Sequence, residues 1–160
     1  NRGQTNDYIT PQRILKALGD FDLDPCACNP QPWPTAKKMI ALPDDGLQLA
    51  WKGRVWLNPP YGQQTDRWLS AMAAHNHGTA LVFARTETAM FFKNVWNCAI
   101  ALLFIEGRLY FHRPDGRRMS GNAGGPSVLI AYGAEDAQLL ANCDIPGAFV
   151  VPSRWRTLTL

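Results

Sequence analysis

Arg54-Val55-Trp56-Leu57-Asn58-Pro59-Pro60-Tyr61-Gly62 is the stretch on which the reading of this chain turns. Val55, Trp56 and Leu57 form a short apolar run, as a strand covered on both faces requires, and Asn58-Pro59-Pro60 ends it abruptly. Each proline fixes φ and lacks a backbone N–H, so the strand cannot run on through them. Downstream, residues 65–76 place Trp68, Leu69, Met72 and Ala73 at helical spacing, with Gly78 as the expected stop. Residues 79–84 are a second apolar run, 88–96 a second helix and 100–105 a third apolar strand. Strand, helix, strand, helix, strand argues for an α/β fold with a mostly parallel sheet.

Upstream, residues 10–19 read as a short helix. Thr10 is the expected N-cap, Pro11 suits the first helical position, and Gly19 can end it with positive φ. Residues 21–24 look like a strand stopped by Pro25. Residues 25–43 show no period and are expected to be irregular, with at most a helical turn at 35–39; so long a connection inside a compact domain usually has a function. In the last third, residues 108–111 and 127–132 read as strands of an antiparallel edge hairpin, joined by the basic, glycine-rich loop 113–125. A short helix over 135–142 and a strand over 149–151 complete the expectation.

The chain has 160 residues, 46% of them hydrophobic, which suits one compact domain, and no second domain is expected within it. Only 18% are charged and six are Trp, which argues against a disordered chain. A net charge of +3 permits a nucleic-acid partner without arguing for one. Cys26, Cys28, Cys98 and Cys143 fit no zinc spacing and are expected to be buried free thiols; no metal site is expected. His75, His77 and His112 form no ligand or nucleophile set. No apolar run has the length of a membrane span and no signal peptide is visible, so the expected location is cytoplasmic.

The chemistry centres on Asn58, Pro59, Pro60 and Tyr61. The N6 amine of adenine is a poor nucleophile because its lone pair is delocalised into the ring. A catalyst must hold that amine by its hydrogens and aim the lone pair at an electrophile. The Asn58 side-chain carbonyl and the Pro59 main-chain carbonyl can do this from a loop stiffened by two prolines. Tyr61 offers a face for an extruded base, worth roughly 1–3 kcal/mol. The plainer alternative is a proline-stiffened turn in which Asn58 caps and Tyr61 packs into the core. Delivery of the loop at the C-terminal edge of an apolar strand favours the functional reading, because open α/β sheets bind ligands there. The segment matches the catalytic motif of amino-group methyltransferases.

Asp24, at the end of the first strand, can accept hydrogen bonds from a cofactor's ammonium or ribose hydroxyls; capping of the turn before Pro25 is the alternative. Arg85 follows the 79–84 strand and can reach a phosphate, or else belongs to a solvated turn with Thr86 or Thr88 as cap. Arg113, Arg117 and Arg118 in the glycine-rich loop can neutralise phosphates or read guanine edges. Lys37-Lys38 and Arg154 with Arg156 read as exposed charge, and Trp33 as core or as a surface for a cofactor ring.

The ordered set Thr10-Pro11, Asp24-Pro25-Cys26-Ala27, Asp45-Gly46-Leu47, Trp51, Asn58-Pro59-Pro60-Tyr61, Trp68 and Gly107-Arg108 resembles the phage-type DNA N6-adenine methyltransferase family. The resemblance implies a Rossmann-like class I methyltransferase core, S-adenosylmethionine as methyl donor, and adenine in double-stranded DNA as acceptor. It implies that Asn58 to Tyr61 are the catalytic loop, and that Thr10, Pro11, Asp24, Pro25, Cys26 and Asp45 lie at the cofactor, with Asp44 an alternative to Asp45. The glycine-rich fingerprint of larger DNA methyltransferases is absent. The same loop would serve RNA adenine or protein glutamine, and a DNA-binding module without turnover is the non-enzymatic alternative. A homodimer gripping the duplex is a further expectation.

Overall fold

The computed structural model describes residues 7–153; Arg154 and Arg156 lie outside them. Among the described residues seven strands form one sheet in the order β2-β1-β3-β4-β6-β5-β7. β1 (Leu23–Asp24), β2 (Lys38–Met39), β3 (Val55–Leu57) and β4 (Gly78–Phe83) pair in parallel. β6 (Ser127–Tyr132) is antiparallel to both β4 and β5 (Ala101–Ile105), and β7 (Gly147–Val150) is antiparallel to β5. Since β4 and β5 both oppose β6, they run the same way, so only β6 and β7 are reversed.

The mostly parallel expectation therefore holds for strand direction but not for pairing, because antiparallel ladders make up half the sheet. The expected hairpin between residues 108–111 and 127–132 is not formed. The polar connection, with Gly107 at φ 73°, carries the chain off the sheet instead, and β6 inserts between β4 and β5. Leu109 and Phe111 are buried as side chains, and His112 makes isolated bridges to Ile9 and Arg118. Their apolar character came from packing into the core on the Ile14 and Leu18 side of the sheet rather than from strand pairing.

Alternation along the strands sorts the core into two layers. Trp56, Leu81 and Leu129 face one side, where Ile14 and Leu18 of α1 (Gln12–Leu18) and Leu140 of α4 (Ala134–Asn142) cover them. Val55, Leu57, Val82 and Val128 face the other, against Leu69 and Met72 of α2 (Thr65–His75) and against Phe91 and Val95. Phe91 closes the short helix α3 (Ala89–Phe91), which continues as a π-helical stretch, Phe92–Trp96. Arg54, just before β3, ties α1 and α4 to the sheet: its Nε donates to Asp136 of α4 at 2.9 Å and its Nη1 to the carbonyls of Leu18 and Asp20.

Local expectations need several corrections. Asn76, at φ 55°, ends α2, while Gly78 begins β4, where a Cβ would collide with the Val55 carbonyl. Pro11 is the N-cap of α1, and Thr10 does not cap it. Residues 38–39 form the exposed edge strand β2 rather than a helical turn, because the 25–43 connection must return beside β1. The four cysteines are free but only half-buried.

Candidate active site

The site lies where the sheet changes its direction of winding. From β1 the chain crosses to β2 on one side, then returns past β1 to β3 on the other. The carboxyl ends of β1 and β3 are therefore neighbours with their connections diverging, the crevice in which open α/β sheets take ligands. A small cavity there is lined by Tyr8, Thr10, Asp24, Cys26, Gln31 and Asn58, among others.

Asn58 is oriented by its neighbours. Its Nδ2 donates to the Tyr8 carbonyl at 2.7 Å and to Thr10 Oγ1 at 3.2 Å. A main-chain carbonyl can only accept, so the amide nitrogen must face Tyr8 and Oδ1 must point away. Among the described residues Oδ1 meets only a long hydrogen bond, 3.3 Å, from the Tyr61 hydroxyl. Thr10 is pinned in turn, its carbonyl accepting from Trp33 Nε1 at 3.0 Å, and Ile9 pairs with His112 in both directions. The far end of the loop is anchored at the start of α2, where Thr65 Oγ1 donates to the Pro60 carbonyl at 2.7 Å. Pro59 is buried, and its carbonyl receives no hydrogen bond from the described residues.

Tyr61 stands half-buried in an aromatic cluster. Its ring stacks on Phe83 with centroids 4.3 Å apart and planes 19° apart, and Tyr8 and Phe111 close in at 5.8 and 6.4 Å. One face of the ring is thus taken by Phe83, which limits the base-stacking role expected of Tyr61 to the other face. Burial raises its phenol above the ordinary value, so the hydroxyl stays protonated and able to donate.

Asp24 ends β1 with its carboxylate buried. It accepts from Thr35 Oγ1 and from the Cys26 N–H at 2.9 Å. Burial outweighs those bonds and pushes its pKa up to about 6. Burial also holds the thiols protonated, with Cys28 pushed up to about 12, so Cys26 serves Asp24 through its backbone rather than as a thiolate. Pro25 is buried beside it, against Gly46, where a Cβ would collide with the Pro25 carbonyl. That contact explains the glycine after Asp45. Asp45 itself is exposed, and its Oδ1 accepts from Leu47 N at 3.0 Å to start the turn Gly46–Gln48. It does not line the cavity that joins Asp24 to Asn58.

The arginines are more scattered. Arg85 is exposed beyond β4, and Thr88 caps α3 by accepting from Phe91 N. Arg113 is exposed, Arg117 is paired with Asp115 at 2.7 Å, and Arg118 lies over the Tyr110 ring at 3.9 Å. The 113–125 loop is partly built into the core: Ala123 is buried, Met119 packs on the core, and Gly125 lies against the Phe83 ring that Tyr61 stacks on. Sequence reasoning missed the Tyr8 carbonyl, Thr35 and Phe83, because a main-chain acceptor and a partner distant in sequence leave no local pattern.

His77, Glu135 and Asp136 bring ligand-type atoms within 4.8 Å of one another. They sit at the opening end of β4, opposite the Asn58 loop, and Asp136 is already engaged by Arg54 and Thr79.

Residues 3–138 match the family model described as DNA N-6-adenine-methyltransferase (Dam). No curated protein and no solved structure matches the chain.

Proposed function

The chain belongs to the DNA N-6-adenine-methyltransferase (Dam) family, and from that premise we propose that Asn58-Pro59-Pro60-Tyr61 is the loop that methylates a flipped adenine at N6. The observation that carries this is the orientation of the Asn58 amide. With both amide hydrogens given to Tyr8 and Thr10, Oδ1 is left as an acceptor that meets only the long bond from the Tyr61 hydroxyl among the described residues, and the carbonyl of the next residue, Pro59, is unengaged among them. Two acceptors on a stiff loop are what an aromatic amine needs: they take its hydrogens, turn its lone pair outward, and stabilise the positive charge that develops on nitrogen. No strong base is required, because the methylated aminium is acidic enough to lose its proton to water.

S-adenosylmethionine, when bound, supplies an electrophilic methyl on a sulfonium. The donor set at the cavity fits it: Asp24 is a buried carboxylate for an ammonium, Gln31 brings an amide, and Thr10 and Asn58 close the opposite end. Gln31 Oε1 already accepts from Cys28 N at 3.0 Å, which leaves its NH2 for a carboxylate or hydroxyl. The cavity is narrow, so the wall formed by residues 25–34 has to move outward as the donor binds. Asp45, at the surface nearby, is then available to ribose hydroxyls. Orientation is the main contribution, since good positioning of two reactants supplies roughly 7–11 kcal/mol of a barrier.

In duplex DNA the amine lies inside the stack, so the base must turn out before it meets Asn58. The face of Tyr61 turned away from Phe83 receives it, with Phe83 backing the ring. Arg85 and Arg113 are the exposed cations for phosphate. We read the sheet as a Rossmann-like class I methyltransferase core with β6 inserted in reverse between β4 and β5. The test is Asn58→Ala: transfer is lost by a factor of at least 100, while calorimetric affinity for the donor changes less than threefold. A variant that folds normally but no longer binds the donor would place Asn58 at the cofactor and sink this assignment.

A further inference from the structure

Asp24 and Thr35 flank the wall of residues 25–34, and the Thr35 hydroxyl joins its two ends by donating to Asp24 Oδ2. The Cys26 N–H donates to Oδ1 at 2.9 Å. Each carboxylate oxygen thus holds one hydrogen from the protein and keeps acceptor capacity for a ligand. Among the described residues no Lys, Arg or His lines this cavity. A buried carboxylate without a cation beside it keeps its charge only through hydrogen bonds. The other titratable side chains lining it are Tyr8, Cys26 and Cys28, and burial keeps both thiols protonated. Asp7 and Asp45 lie close enough to act on Cys26 and carry the same sign as Asp24. On the adjoining elements Lys37 pairs with Asp22, Arg54 with Asp136, and Lys38 of β2 is exposed opposite Leu23. Lys16 and Asp20 line an open cleft that Thr35 also borders.

The local fold does not depend on that hydroxyl. The main chain closes the neck of the wall by itself: Lys37 N donates to the Phe21 carbonyl at 3.0 Å, Lys38 N to Asp22 at 3.0 Å and Ile40 N to Asp24 at 2.8 Å. A side chain that only filled space here could be a valine. A hydroxyl adds something a methyl cannot, because it is both donor and acceptor. It gives its hydrogen to the Asp24 carboxylate and can accept one from the neutral acid.

We propose that Thr35 is a positioning residue for the methyl donor: acting through Asp24, its hydroxyl fixes the carboxylate toward the donor's ammonium and stabilises the charged form that binds it. This role rests on the methyltransferase reading above, in which Asp24 takes that ammonium. The experiment titrates S-adenosylmethionine calorimetrically between pH 5 and 9 into the wild type, Thr35→Val and Thr35→Ser. Wild-type affinity should rise through a step near pH 6. Thr35→Val removes a bond that lowers the Asp24 pKa, so the step should move up by about one pH unit, the size expected for one hydrogen bond to a charged group. Affinity should then be about tenfold weaker below the step and within threefold of wild type above it. Thr35→Ser keeps the hydroxyl and should return the step to its wild-type position. In methyl transfer to duplex DNA, Thr35→Val should raise the KM for the donor near pH 6 and leave kcat within twofold. A step that Thr35→Val leaves in place, or one that Thr35→Ser does not restore, overturns the role of Thr35 and leaves the methyltransferase reading standing. A flat wild-type profile with methyl transfer intact does the same. No donor binding and no transfer by the wild type overturns that reading and this role with it.

Discussion

Asn58 shows how a common side chain becomes directional. The Tyr8 carbonyl and the Thr10 hydroxyl take its two amide hydrogens, so the oxygen has one direction left to face. Thr10→Val keeps the shape and removes one of those acceptors, at about 1 kcal/mol for the lost bond. Its kcat should fall by about fivefold to tenfold, with donor affinity within twofold of wild type. Donor affinity lost at unchanged kcat would instead make Thr10 a cofactor contact, as the family resemblance alone suggests. Asp24 carries a second prediction. Its buried carboxyl, with a pKa of about 6, is neutral in acid and charged above that value. A donor ammonium stabilises the charged form, so calorimetric affinity should rise with pH through about 6 and then level. Asp24→Asn should remove the step, and a flat wild-type profile would mean that Asp24 does not face the ammonium. In the free protein the same shift acts on stability in the other direction. The raised pKa favours the folded acid form, so this contribution is full below the ordinary value of 3.8 and is lost as pH rises through about 6.

Elements were legible where a period or a cap announced them. The apolar runs around Val55, Leu81 and Leu102 became β3, β4 and β5, and the Trp68, Leu69, Met72 stripe became α2. The Asn58 loop was legible for the same reason, because two prolines after an apolar strand leave few conformations. β2 was not, since Lys38–Met39 is two exposed residues held only by pairing with β1. Nor could residues 108–111 be separated from a strand, as Leu109 and Phe111 alternate correctly yet bury themselves in the core layer that α1 covers. Residues 25–34, without regular structure, form the outer wall of the cavity beside Asp24. If the donor enters by displacing that wall, the bound donor then holds it. Hydrogen exchange across it should slow by tenfold or more at saturating donor while α2 is unchanged. Equal protection with and without donor would place the cofactor elsewhere.

At the scale of the whole molecule, the sheet brings together residues that no motif connects. Asp24 and Asn58 are 34 positions apart in the chain and share one cavity because β1 and β3 are neighbours. Arg54 and Asp136, which no local pattern marks, form a buried pair that joins β3, α1 and α4. Removing one partner strands the other charge, so Asp136→Ala should cost about 3–5 kcal/mol in denaturant unfolding. A cost under about 1 kcal/mol would mean that the pair is not what joins α1 and α4 to the sheet. Rigidity there matters for function, because α1 follows directly on the Tyr8–Thr10 segment that orients Asn58.

Whether this loop puts a methyl group on adenine N6 in DNA is tested most directly by incubating the wild-type chain and Asn58→Ala with labelled S-adenosylmethionine and unmodified duplex, then analysing the digested nucleosides. Label should appear in N6-methyladenine for the wild type and be at least 100-fold lower for the variant. Label in another nucleoside, or equal label from both proteins, would contradict the assignment of Asn58.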